Sequence, residues 1–222
     1  IASCALAPSF VESAINGVGV KCSLATEYPF RGKLKYTVEV ESSVKFDFLI
    51  RIPSFAKAAR VDGTEVRCGE FAKISKTWTG KTEIEVCLDF ETEIVKRPHD
   101  MACVRRGPLF YSISIKEKRE RVEYIKDGVE RKYPYCDYYI YPESKWNYAF
   151  ASDKFEFEEL PYNVPFNPEN PPVAIEAEAV GIEWGFNCGH CDRLPASREA
   201  ISDAQRIRLI PYGCTTLRMT EI

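Results

Sequence analysis

The sequence predicts an all-β protein built of antiparallel strands, arranged as a sandwich or a barrel. Polar and apolar residues alternate along Lys33–Glu41, and the same period of two returns in Lys45–Ile52 and Thr82–Phe90. That period is typical of antiparallel strands with one buried and one solvated face. No stretch shows a convincing helical stripe, and the best candidate, Ala196–Gln205, predicts one short turn.

Turn signals separate the predicted strands. Asn16-Gly17 lies between Phe10–Ile15 and Val18–Ala25, and Asp62-Gly63 has the same role further along the chain. Both dipeptides favour a two-residue hairpin connection. Pro53 ends a strand, because proline lacks the N–H that a central ladder requires. Many short strands joined in this way indicate a sandwich or a barrel.

The composition changes near Gly107-Pro108, which predicts a domain boundary. Beyond it, residues 132–148 are unusually rich in aromatic side chains. Five prolines then fall within residues 161–172, which predicts an extended or looped path. Strands resume at Val173–Glu178 and Arg206–Ile210, where apolar residues again dominate.

Composition excludes several classes of protein. The 222 residues are 45% hydrophobic, which is too apolar for a disordered chain. The net charge of −3 excludes a globally basic surface for nucleic acid. The uncharged run Ile1–Val11 is shorter than the ~18 residues of a membrane span and lacks the basic start of a signal peptide. We therefore expect neither nucleic acid nor a membrane as a partner.

The cysteines indicate the cellular compartment, and the methionines indicate whether the chain is a whole protein. Nine cysteines are an odd number, and most of them lie singly inside apolar stretches. This pattern favours reduced thiols and a cytoplasmic location. The chain opens on Ile1 and has methionine only at positions 101 and 219. We therefore expect a piece of a longer protein, with any chemistry encoded upstream.

The motif Cys188-Gly189-His190-Cys191 is the strongest chemical signal in the chain. A Cys-x-x-Cys pair runs disulfide exchange when a strand precedes it and a helix follows it, and neither is predicted here. A structural zinc site needs about four ligands, and the sequence has no second Cys/His pair. We interpret the motif as a loop with two incidental thiols. A thiol-redox or metal-binding module using Cys188, His190 and Cys191 is kept as an alternative.

Catalytic groups of other kinds are scarce. Glu176 and Glu178 share one face of a predicted strand, roughly 7 Å apart, which is a spacing that glycoside hydrolysis permits. Other strands carry equal carboxylate stripes, as expected of any solvated strand face. His99 and His190 are the only histidines, which leaves little material for nucleophilic catalysis. We expect no catalytic residue in this chain.

Aromatic side chains are the best intrinsic candidates for binding. Rings of this density present flat surfaces to a sugar or a partner protein, or fill a core, and we favour packing. The alternative function of an independent carbohydrate-binding module requires exposed, coplanar rings among Trp146, Tyr148 and Trp184. The whole cluster between residues 138 and 148 comprises Tyr138, Tyr139, Tyr141, Trp146 and Tyr148.

Six stretches, in order along nearly the whole chain, carry a family resemblance. They are Thr26–Lys33, Leu49–Ala56, Arg105–Tyr111, Tyr141–Tyr148, Pro165–Val173 and Ile210–Arg218. Together they resemble the C-terminal part of glycoside hydrolase family 127, the bacterial β-L-arabinofuranosidase family. No stretch here is similar to the family's catalytic cysteine pair, so the resemblance transfers no catalytic or zinc residue.

The resemblance implies an accessory role. It places the chemistry in an (α/α)6 barrel that precedes this region, where zinc holds a cysteine nucleophile and a glutamate acts as acid/base. This chain would brace that catalytic domain of the same protein, and would mediate dimerisation. No cofactor is expected in this chain, and zinc is expected only in the missing domain. Although the parent protein is expected to be a glycoside hydrolase, we predict that this chain alone is inactive.

The resemblance also implies two antiparallel β-sandwiches, jelly-roll or immunoglobulin-like in type, and how they divide the chain. The first would comprise residues 1–106 plus 205–222, and the second residues 107–204. The second sandwich would thus be inserted before the last strand of the first, Arg206 to Glu221.

Overall fold

The computed structural model describes residues 1–195 and 197–222, and it is all-β, as predicted. The helical segments among these residues are two short 3-10 turns, Pro98–Asp100 and Tyr212–Cys214. Ala196, the first residue of the predicted helical turn, lies outside the described residues. Residues 197–205 contain no helix, so the rest of that prediction is wrong. Ala200 instead forms an isolated antiparallel bridge with Ile182.

The first compact unit comprises residues 1–93 and 105–109. Its strands are β1 (Ala2–Ser3), β2 (Ser9–Ile15), β3 (Val18–Thr26), β4 (Lys33–Arg51), β5 (Ala58–Val61), β6 (Thr64–Val66) and β7 (Phe71–Asp89). They form a seven-stranded sheet of order β2-β3-β4-β7-β5-β6, with β1 parallel beside β4. The predicted hairpin turns at Asn16-Gly17 and Asp62-Gly63 are confirmed, because all four residues have positive φ angles between 46° and 79°.

Strands β4 and β7 form a long antiparallel pair that bends. The two strands predicted at 33–41 and 45–52 are one strand, interrupted by a bulge between Val40 and Val44. The rings of Tyr36 and Phe48, one on each side of this bulge, are 5.5 Å apart. A straight strand would separate these positions by about 40 Å. The β4–β7 pair therefore folds back, and both of its halves contribute to one core.

The core of the first unit follows the predicted alternation. Trp78 on β7 is buried in it and donates its indole N–H to the carbonyl of Phe46 at 2.9 Å. Its ring stacks on Phe46, with centroids 5.0 Å apart, and meets the edge of Phe48. The buried residues of β4 all have even numbers: Leu34, Tyr36, Val38, Val40, Val44, Phe48 and Ile50.

The second compact unit comprises residues 94–104 and 110–222. The remaining strands are β8 (Thr92–Lys96), β9 (Ala102–Arg106), β10 (Leu109–Ile113), β11 (Glu117–Val122), β12 (Tyr124–Lys126), β13 (Val129–Arg131), β14 (Asp137–Pro142), β15 (Tyr148–Glu159), β16 (Val173–Gly181), β17 (Phe186–Asn187), β18 (His190–Cys191) and β19 (Gln205–Pro211). A six-stranded sheet has the order β15-β16-β19-β10-β9-β8, and three two-stranded sheets pair β11 with β14, β12 with β13, and β17 with β18.

This division differs from the one predicted from the sequence. Strand β19 was expected to complete the first sandwich, but its backbone pairs with β16 on one side and β10 on the other. Its apolar side chains Ile207 and Leu209 are accordingly buried in the second unit. Among the described residues, no helix is long and apolar enough to cross a membrane.

Candidate functional site

The tryptophans proposed as a sugar platform lie in a core. Trp146, Tyr148 and Trp184 are each less than 10% exposed, and the two indole rings meet edge to face at 67°. The indole N–H of Trp184 donates to the carbonyl of Asp192 at 3.1 Å. Because a stacking platform needs exposed and coplanar rings, these three side chains do not form one. Their role in the structure is packing.

The Cys-Gly-His-Cys motif forms a β-hairpin rather than the predicted loop. Cys188 and Gly189 both have positive φ, 52° and 82°, as a two-residue hairpin turn requires, and Asn187 pairs with His190 across it. Both thiols are exposed. Over residues 1–195 and 197–222, no group of three or more His, Cys, Asp or Glu side chains is placed to hold a metal ion. The hairpin therefore supplies accessible thiols but no ligand set for zinc.

The carboxylate stripe on β16 belongs to a ladder of ion pairs. Arg208 of β19 contacts Glu176 at 2.8 Å and Glu158 of β15 at 3.2 Å, and Arg206 pairs with Glu156 in the same manner. Glu176 thus pairs with the adjacent strand β19, Glu156 and Glu158 pair with the same strand across β16, and Glu178 accepts the Ser152 hydroxyl. Such pairs are typical of a solvated sheet face. Neither Glu176 nor its neighbours converge on a cavity as an acid/base pair would.

The buried thiols are poor nucleophiles. Cys214 lies among Ala174, Ile210 and Leu160 in a small apolar cluster of the second unit. Burial raises the pKa of the Cys214 thiol to about 11. The thiol is therefore protonated at neutral pH, whereas nucleophilic attack requires the thiolate.

The most exposed aromatic surface lies on the segment 117–142, which we call the tyrosine ribbon. Strands β11 and β14 form its base, and the β12–β13 hairpin extends it. Packing was favoured for Tyr138, Tyr139 and Tyr141, but all three are exposed. The six exposed tyrosines of the ribbon, between 36% and 79% accessible, are Tyr124, Tyr133, Tyr135, Tyr138, Tyr139 and Tyr141.

The two faces of the ribbon differ in their surroundings. On one face, the rings of Tyr139 and Tyr141 lie 6.5 Å apart beside the Lys118–Glu120 ion pair. On the other face, Arg119 donates to Glu117 and to the Thr216 hydroxyl, which ties the ribbon to the body of the second unit. The density of aromatic residues identified this segment in the sequence as a candidate binding region. Its exposure was missed because it depends on the long-range pairing of β11 with β14.

These features define a β-protein whose sheets are antiparallel apart from the β1–β4 pair. Residues 6–90 match the sequence profile described as "Beta-L-arabinofuranosidase, GH127 middle domain". The predicted family resemblance is thereby confirmed, since the chain contains a region like that of glycoside hydrolase family 127. No curated protein matches the sequence.

Solved structures resemble the chain over nearly its whole length. Ara127N-Se, a GH127 beta-L-arabinofuranosidase from Geobacillus stearothermophilus T6, gives a TM-score of 0.62 at 20% identity, covering 99% of this chain and 32% of that protein. A structure described as a glycoside hydrolase gives a TM-score of 0.51 at 17% identity, covering 92% of this chain and 32% of that one. The chain therefore shares a fold with these proteins and spans about a third of their length.

Proposed function

We propose that this chain is the accessory β-region of a family 127-like glycoside hydrolase of the β-L-arabinofuranosidase type. It would brace an (α/α)6 catalytic domain of the same protein, as the family resemblance implies, and would provide a subunit interface. The observation that carries the proposal is the match of 99% of this chain to only 32% of an arabinofuranosidase. A region of that proportion leaves room for a separate catalytic domain in the parent protein.

The chemistry of the described side chains supports a non-catalytic role. On the β15–β16–β19 face, Glu156, Glu158 and Glu176 are held in ion pairs with Arg206 and Arg208. The Cys214 thiol is protonated at neutral pH, because burial raises its pKa to about 11. No described cluster fits a zinc ion, so the zinc of this enzyme type would be held by the catalytic domain. We derive no catalytic step from this chain.

The proposal includes the finer architecture of two β-sandwiches. The Tyr36–Phe48 contact supports it in the first unit, because the two halves of β4 face each other across one core. In the second unit, Val173, Ala174 and Ile175 are consecutive and fully buried. Since successive side chains of a strand point to opposite faces, both faces of β16 are covered there, as in a layered fold.

The proposal also places the protein in the bacterial cytoplasm. All nine cysteines are free thiols, and four of them are only partly buried. Partly buried thiols that stay unpaired are typical of a reducing compartment.

The alternative of a carbohydrate-binding module on Trp146, Tyr148 and Trp184 loses its support, because these rings are buried.

The test compares the 222-residue chain, the catalytic domain and the whole protein. We expect the chain alone to hydrolyse no aryl β-L-arabinofuranoside with or without added zinc. We expect the catalytic domain to melt at a higher temperature, and to turn over faster, when the chain is joined to it or added in trans. Zinc-dependent turnover by the purified chain would overturn the proposal. So would a catalytic domain whose melting temperature and turnover rate are unchanged when the chain is present.

A further inference from the structure

A groove in the second unit is a feature that the accessory role does not use. It consists of two adjoining cavities of about 350 and 570 Å³, and both are open to solvent. Each volume falls within the range of ordinary small-ligand sites. Segment 161–172, with its five prolines, forms one side, and we call the feature the proline-loop groove. Both cavities are lined by Ser114, Pro168, Glu169 and Ile210.

The proline-rich side of the groove is held in place by hydrogen bonds of its own backbone. The N–H of Leu160 donates to the carbonyl of Pro172 at 2.8 Å, which closes the two ends of the segment on each other. Asn167 accepts the backbone N–H groups of Glu169 and Asn170 on its Oδ1, at 2.9 and 3.3 Å. The prolines restrict the backbone further. This side is therefore formed before a ligand arrives, which lowers the entropic cost of binding.

The opposite side of the groove and its floor are fixed as well. Ser114 donates its backbone N–H to the carbonyl of Arg208 on β19 at 2.9 Å. Arg119 donates to the Thr216 hydroxyl at 2.8 Å, which joins β11 to the segment after β19. Ile210 of β19 lines both cavities and is itself only 4% exposed. The groove thus combines an apolar floor with polar sides, as small-molecule sites do.

Five polar side chains that line the groove are uncommitted. Over residues 1–195 and 197–222, none of these side chains takes part in a hydrogen bond or an ion pair, although most charged side chains of the nearby strands are paired. They supply one ammonium, one carboxylate, two amides and one hydroxyl, so their formal charges cancel. The five are Ser114, Lys116, Asn163, Glu169 and Asn170.

We propose that the proline-loop groove binds a short neutral saccharide, which adds a binding site to the accessory role. Sugar hydroxyls both donate and accept hydrogen bonds, so they satisfy a carboxylate, an amide and an ammonium alike. An anion would be desolvated beside Glu169, and a cation beside Lys116, whereas a neutral ligand avoids both costs. The C–H groups of a sugar ring would cover Ile210. The choice of arabinose as the sugar rests on the proposed function.

Isothermal titration calorimetry of the 222-residue chain with arabinotriose and xylotriose tests the ligand class. We expect arabinotriose to bind with a dissociation constant at or below about 1 mM. Since a neutral ligand is not screened by salt, this constant should change less than about twofold between about 0.05 and 0.5 M NaCl. Binding of neither trisaccharide, or tighter binding of an anionic trigalacturonate, would overturn the inference. Binding of xylotriose alone would support the groove and remove the arabinose assignment, and with it support for the proposed parent enzyme.

Three variants locate the binding site, with circular dichroism to confirm that each is folded. Glu169→Ala removes the free carboxylate but keeps the backbone contact with Asn167, and should raise the dissociation constant at least about tenfold. Ser114→Phe adds a ring where the two cavities meet and should abolish binding. Asp153→Ala, which removes an exposed carboxylate on β15 outside the groove, should leave the constant unchanged. A dissociation constant that Glu169→Ala leaves unchanged would overturn the inference, even if Ser114→Phe failed to fold.

Discussion

Gly32 has no room for a side chain, and Gly32→Ala should destabilise the first unit. Gly32 directly precedes β4, and its carbonyl accepts the N–H of Leu88 at 2.8 Å. A Cβ at this position would lie 1.9 Å from the carbonyl oxygen of Leu88, although such contacts essentially never fall below 3.0 Å. The two backbones would have to separate by more than 1 Å. Leu88 and Phe30, both buried, would lose packing in the process.

The expected magnitude follows from these contacts. Overpacking costs about 1–3 kcal/mol, and the lost hydrogen bond adds about 1 kcal/mol, so we expect a loss of about 2–4 kcal/mol. Urea unfolding followed by circular dichroism measures it, and hydrogen exchange over residues 84–90 locates it. Gly185→Ala is the matched control, because no atom lies within 4 Å of its added Cβ, and its effect should stay within about 0.5 kcal/mol. A Gly32→Ala chain as stable as this control would refute the reasoning.

Three further predictions concern Trp78 and the thiols. Trp78→Phe leaves the Phe46 carbonyl without its indole donor and should cost about 1–3 kcal/mol in urea unfolding. Alkylation of the folded chain, followed by mass spectrometry, should label the exposed Cys188 and Cys191 well before the buried Cys214. Burial raises the pKa of Cys214 from 9.0 to about 11 in the folded state, so an unfolded chain loses this proton at lower pH. Stability should therefore be complete below pH 9 and decline towards pH 11, and Cys214→Ala should abolish that part of the decline.

Local patterns predicted the fold class and the hairpins, because alternation and turn chemistry are properties of neighbouring residues. The buried residues of β4 are all even-numbered, as their alternation required. The same pattern gave two strands where there is one, because the bulge between Val40 and Val44 resembles a turn in the sequence. The partners of β19 were misassigned, because no local signal states which strand a strand will pair with.

The predicted exposure of the aromatic residues was wrong for the same reason, because exposure depends on long-range strand pairing. The sequence shows that residues 132–148 are aromatic, but exposure depends on what packs against each ring. Trp146 is covered by Trp184 and Phe186, whereas Tyr139 lies beside Tyr141 and the charged strand β11 and stays exposed. Composition therefore located the aromatic region, and only the strand pairing separated its core from its surface.

The distribution of charge separates two kinds of strand on this protein. On β15 and β16, Glu156, Glu158 and Glu176 share two arginines of β19, so these carboxylates are partly compensated on a solvated face. On the ribbon, β11 holds its charges in pairs such as Lys118–Glu120, while β14 beside it presents uncharged side chains and an open backbone edge. Charged side chains therefore line the outer strand β11, whereas β14 carries no charge from Tyr138 to Pro142, a difference that composition alone does not reveal.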